Sequence, residues 1–169
     1  MLNCTVYWID DAPAGRIGIM PRPRGGDWLE DEIRSLKAQD VDVLVSLLTP
    51  DEIAELDLTK EGDICESNGI EFVSFPIIDR DVPAMDRVLK ALIHSLRDRL
   101  TNAKAIVIHC RGGIGRSGIM AACLMVSPNN PVELVMLLIS HSRGCTVPDT
   151  NEQLEWVHRF AKWDSEDVL

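Results

Sequence analysis

The sequence predicts an α/β fold with a central, mostly parallel sheet flanked by helices, and three observations support that class. Short apolar runs rich in Val and Ile recur along the chain and read as buried strands. Between them lie longer stretches with apolar residues at helical spacing, and this alternation is what parallel sheets with crossover helices require. One apolar run, residues 105–108, leads through a glycine-rich turn into a second, residues 119–126. A strand–turn–helix of that kind puts its turn at the carboxyl end of a sheet, where such folds bind phosphate.

Each element has its own warrant. Residues 4–9 and 15–20 read as short strands, and 21–26 as an extended cationic turn carrying Arg22 and Arg24. Asp27 has Glu30 three residues on, the spacing of a capping box, and predicts a helix to Ala38 with Leu29, Ile33 and Leu36 on one face. Residues 41–48 form a buried strand. Thr49 then caps a helix with Pro50 in its first turn. A short helix over 60–67 stops at Asn68-Gly69. Residues 70–75 are the next strand, and 76–83 a loop. A long helix over 84–100 carries the apolar residues Val88, Leu89, Leu92, Ile93 and Leu96. After the central strand–turn–helix, residues 132–143 form an apolar helix stopped by Gly144, and 151–163 form the last helix.

The 169 residues suit one domain, residues 1–169, opening with strands and a cationic turn over about 1–26 and closing in a polar tail over 164–169. With 17 basic and 27 acidic residues the net charge is -10, which disfavours nucleic acid as a partner. No apolar run reaches membrane-span length, and the first ten residues lack a basic signal region. Five cysteines without CxxC pairs point to reduced thiols, a cytoplasmic setting and no metal site. Cys123 reads as a core residue. Cys65 and Cys4 are candidates for a regulatory disulfide with Cys110. The oligomeric state has no sequence signal.

The chemistry sits in residues 107–117. Cys110 opens the turn and Arg116 closes it six positions later. Backbone N–H groups of a tight turn converge on a point, and a helix N-terminus adds partial positive charge. Such a field favours a thiolate, and an arginine can hold two phosphate oxygens in a fork. Arg111, Gly112, Gly113, Ile114 and Gly115 are expected to bind an anion through their main chain, the glycines by permitting conformations that a Cβ forbids. Ser117 is placed to donate its hydroxyl to the sulfur.

His109-Cys110, five residues, then Arg116-Ser117 resembles the signature phosphate-binding loop (P-loop) of the cysteine-dependent protein phosphatases, and within them the compact dual-specificity class. The resemblance covers nearly the whole chain from Val43 onward. It implies a two-step hydrolysis through a phosphocysteine, with Cys110 as nucleophile and no metal or other cofactor. It implies that His109 orients the loop by hydrogen bonding. The family carries a Pro-Ile-x-Asp-x-x-x-Pro segment, matched by Pro76-Ile77-Ile78-Asp79 and Pro83, which makes Asp79 the general acid, with Asp81 its rival. Gln153 matches a glutamine that positions the hydrolytic water, although Thr150 and Gln153 also have capping-box spacing. The substrate implied is a phosphorylated protein or peptide, on tyrosine, serine or threonine.

Other readings share parts of this pattern. Residues 113–118 fit GxGxxG, but the acidic strand end that a dinucleotide site needs does not follow. A sulfurtransferase would explain the cysteine loop and not the aspartate loop. A non-catalytic phosphate-binding module would be expected to lack Cys110, Arg116 or Asp79. A non-protein phosphate, a phosphoinositide or an RNA 5′-phosphate, is the alternative substrate; lipid-directed relatives carry loop lysines, which are missing here, while Arg111 keeps that class open.

Overall fold

The computed structural model describes residues 4–12 and 15–166. Strands β1 (Tyr7–Trp8), β2 (Arg16–Pro21), β3 (Val43–Ser46), β4 (Glu71–Ser74) and β5 (Ala105–Cys110) form one sheet in the order β1-β2-β5-β3-β4. The last four are parallel, and β1 runs antiparallel on the edge. β5 is central, between β2 and β3, and Cys110 is its last residue, so the loop leaves from the carboxyl end of the sheet.

Helices α1 (Leu29–Ala38) and α3 (Glu61–Ser67) contribute to the core on one face, with Leu36, Leu44, Cys65 and Val107. Helices α4 (Arg87–Thr101), α5 (Gly115–Met125), α6 (Val132–Arg143) and α7 (Asn151–Glu166) cover the other, with Ile19, Val45, Ile106, Ile108 and Cys110. The pleat explains the division: alternate residues of β5 face opposite ways, so Ile106, Ile108 and Cys110 share a face while Val107 takes the other. Every residue of α5 is buried, which accounts for its apolar composition all round. A short helix α2 (Pro50–Glu55) follows β3.

Several expected boundaries move. Of residues 4–9 only Tyr7–Trp8 pairs as strand. Asp27 does not cap α1: a 3-10 turn over Gly26–Trp28 intervenes, the cap position falls on Trp28, and no side chain caps the helix. α4 begins at Arg87 rather than at 84, because Asp86 accepts from the Val88 and Leu89 N–H groups at 2.9 Å each. α7 runs on to Glu166, so 164–166 are helix rather than tail; Asp164 is held there by Arg97 at 2.8 Å. Residues 167–169, like 1–3 and 13–14, lie outside the described residues. Gly144 ends α6 at φ 76, the left-handed stop that the sequence signals.

Candidate active site

Cys110 is 3% exposed. Its Sγ accepts the Gly113 N–H at 3.3 Å and lies in hydrogen-bond contact with Ser117 Oγ at 3.4 Å. The loop curls tightly enough for this because Gly113 has φ +67, and a Cβ there would meet the main chain of Met20 and Pro21 at 2.3 to 2.5 Å. Gly115 is small for another reason: a Cβ would meet Asp149 Oδ2 at 2.3 Å and Gln153 Oε1 at 3.0 Å. Gly112 has neither constraint; its Cβ position is open and its φ is not positive, which corrects the expectation that all three glycines need their freedom.

Arg116 sits in the first turn of α5 and is 1% exposed. The helix dipole opposes a cation there. A carboxylate resolves the conflict: Arg116 Nη1 and Nη2 donate to Glu52 at 2.7 and 2.9 Å. Nη1 also reaches Ile77 O at 2.8 Å, and Nη2 pairs with Asp79 Oδ1 at 2.9 Å. The same Glu52 carboxylate closes a reciprocal capping box with Thr49, accepting its N–H at 3.0 Å. Burial pushes the Glu52 carboxyl up, but the hydrogen bonds from Arg116 and Thr49 and the guanidinium charge outweigh it and hold the group down at about 2. Glu52 is not among the residues expected at the site, although its local signal is present: Thr49, Pro50 and then a glutamate at the third helical position.

The structure brings Asp79 to Arg116 and leaves Asp81 with other contacts. Asp81 Oδ1 accepts the adjacent Val82 N–H at 2.8 Å, and Asp81 O accepts Gln153 Nε2 at 3.3 Å. Gln153 is fully buried, and its Oε1 has no hydrogen-bond partner among the described residues. Thr150 Oγ1 accepts the Gln153 N–H at 3.1 Å, so half of the capping box forms while the carboxamide itself points elsewhere. Ile114 is the N-cap residue of α5. The Arg111 side chain leaves the loop for the acids of α2, Glu55 at 2.7 Å and Glu52 at 3.4 Å.

His109 departs from expectation. It faces away from the loop, and its Nε2 lies 3.0 Å from Glu61 Oε1, both side chains buried against α3. The pleat requires this, since neighbouring residues of a strand face opposite ways. Cys4 and Cys65 also lie in the α1/α3 core, on the far side of the sheet from Cys110, and all five cysteines are free. Burial and the charge of Glu61 push the Cys65 thiol up to about 12, while burial and a hydrogen bond to Glu32 push Cys4 far up. Arg24 is taken up by Glu32 and Arg22 by Pro23 O, so neither is turned toward Cys110. Among the described residues no His/Cys/Asp/Glu group is arranged to hold a metal ion, and no helix is long and apolar enough to cross a membrane.

Comparison with known proteins gives this geometry a family. Residues 18–130, about two thirds of the chain, match the family model described as polymorphic toxin system, DSP-PTPase phosphatase. The chain belongs to the DSP-PTPase phosphatases. The match bears out the resemblance carried by His109-Cys110 and Arg116-Ser117. Human cyclin-dependent kinase inhibitor 3 is 28% identical over 136 residues, covering 77% of this chain and 60% of that protein. The chain thus spans about half to three fifths of the length of curated relatives of this DSP-PTPase. Among solved structures, kinase associated phosphatase with its catalytic-site cysteine replaced by serine has a TM-score of 0.82 at 19% identity, covering 99% of each chain. Tk-PTP in its active form has a TM-score of 0.71 at 26% identity, covering 93% of this chain and 96% of that one. These likenesses confirm the α/β class and the sheet flanked by helices.

Proposed function

We propose that this chain hydrolyses phosphoric monoesters on phosphoproteins, at tyrosine, serine or threonine, through a phosphocysteine on Cys110. The observation that supports it best is the convergence of two distant segments: Arg116 of the loop holds Asp79 at 2.9 Å, beside a sulfur that accepts the Gly113 amide at 3.3 Å. In the first step Cys110 Sγ attacks phosphorus in line, and the P–O bond to the leaving group breaks. Asp79 gives its proton to the departing oxygen. Arg116 and the amides of residues 111–115 hold the equatorial oxygens, whose charge persists through the transition state. In the second step Asp79 takes a proton from water, the water oxygen bonds to phosphorus, and the P–S bond breaks to release orthophosphate. Ser117 donates to the departing sulfur, and the unpartnered Gln153 Oε1 is the acceptor for the water.

Phosphoprotein is favoured over phosphoinositide because the loop's cationic side chain, Arg111, is already engaged by Glu55 and Glu52. The reducing cytoplasm is the compartment that keeps a nucleophilic thiol available. Hydrolysis of p-nitrophenyl phosphate in the presence of EDTA tests the reading. Wild type is expected to turn over and Cys110→Ser to be inactive. An inactive wild type, or equal rates for the two, overturns it.

A further inference from the structure

The Gly113 amide that meets the sulfur, and the amides on either side of it, follow carbonyls held by contacts made outside the loop. A peptide unit is planar and trans, so a carbonyl and the N–H of the next residue point in opposite directions. Holding a carbonyl outward therefore turns the following amide inward. Three consecutive carbonyls of the loop are held in this way. Arg111 O accepts the Arg22 N–H at 3.3 Å. Gly112 O accepts Arg143 Nη2 at 3.2 Å, and Gly113 O accepts Arg143 Nε at 2.9 Å. The amides so governed belong to Gly112, Gly113 and Ile114, and the Gly113 amide is the one found on Cys110 Sγ.

Arg143 is the last residue of α6, and its guanidinium lies over the Tyr7 ring of β1, 4.1 Å from the centroid. No carboxylate of the described residues forms an ion pair with it, so its charge adds to the positive field behind the loop. A lysine could not reproduce the arrangement, because only a planar fork spans two successive carbonyls. Both residues lie outside the 18–130 span that the family model matches.

We propose that Arg143, seated on the Tyr7 ring, is a positioning residue for the phosphate-binding loop. It touches no reacting atom and acts by turning the Gly113 and Ile114 amides toward the phosphoryl oxygens. Tyr7 acts one step further out, by fixing the guanidinium. The inference rests on the phosphatase reading for its kinetic arm and on anion binding alone for its second arm.

Both arms use the full chain, with thermal unfolding to show that each variant is folded. In the kinetic arm Arg143→Ala lowers kcat on p-nitrophenyl phosphate about 100-fold, more than it raises KM, because the amides meet most charge in the transition state. Arg143→Lys recovers less than a tenth of the loss. Tyr7→Leu lowers kcat about tenfold, and Tyr7→Phe, which keeps the ring, restores it. Tyr7→Leu in the Arg143→Ala background has no further effect, since the two act through one contact. In the binding arm, calorimetry with inorganic phosphate shows Kd about tenfold weaker for Arg143→Ala. If wild type binds phosphate without turning over ester, the phosphatase reading falls and the binding arm still decides this one. A kcat within twofold of wild type for Arg143→Ala, losses that multiply in the double variant, or an unchanged phosphate Kd overturns the proposal.

Discussion

Glu52 and Glu61 each set a buried carboxylate against a basic side chain near the end of β5, one over the first turn of α5 and the other on the α1/α3 face. The separations are similar, 2.7 Å to Arg116 and 3.0 Å to His109. The surroundings are not. Glu52 receives two guanidinium hydrogen bonds and a backbone N–H, and its carboxyl falls to about 2. At the other pair neither the ring nitrogens of His109 nor the oxygens of Glu61 find a well-aligned hydrogen bond among the described residues. Proximity alone does not fix a carboxylate in place; aligned donors do. A guanidinium brings several donors in a rigid plane, and an imidazole at most two at fixed angles.

Three experiments press on that contrast. The largest effect is expected at Arg116. Arg116→Lys keeps the charge and loses the fork, so kcat on p-nitrophenyl phosphate should fall about a thousandfold. A loss below tenfold would mean that charge alone suffices and that the planar donors matter little.

Glu52→Gln comes next. The folded value of about 2 lies below the ordinary 4.5, so the ionised group stabilises the fold fully above about pH 4.5, and that contribution is lost as pH falls through about 2. Urea unfolding at pH 7 should show Glu52→Gln less stable by about 3 kcal/mol, with the gap to wild type closing across that acid window. A gap that stays constant with pH would show that Glu52 acts by shape and not by charge.

Glu61→Gln should do least. Without aligned bonds to lose, the isosteric change costs about 1 kcal/mol in the same unfolding experiment. Phosphate affinity should stay within twofold, since Glu61 lies across the sheet from the loop. A larger loss of phosphate affinity at Glu61 than at Glu52 would invert the comparison.

Much of the fold was legible because its signals are local. The run into Cys110, the apolar α5, the left-handed stop at Gly144 and the Thr49-Pro50 helix start each act within one turn or one strand of their own residues. Asp27 misled for the same reason: its spacing to Glu30 fits a cap, and the 3-10 turn that displaces it comes from where the chain enters the helix. Asp86 carries a cap signal that the loop around Pro83 obscured. At the site, Cys110, Arg116, Ser117 and the loop amides were readable as one contiguous motif. His109 took its expected role from the family resemblance, while the pleat sends its side chain to the face opposite that of Cys110.

The sequence by itself determined the class of fold, the strand–turn–helix of residues 105–125, and the placement of the sulfur and the guanidinium at either end of its turn. These depend on residues a few positions apart, whose relative placement follows from backbone geometry. Only the tertiary structure decided what holds them: Glu52 on Arg116 across 64 positions, Asp79 from its own loop, Arg143 behind Gly112 and Gly113 across 31 and 30, and Glu61 against His109. Such contacts carry no periodic signal, because a charged side chain finds its partner through the packing of the whole core rather than through spacing along the chain.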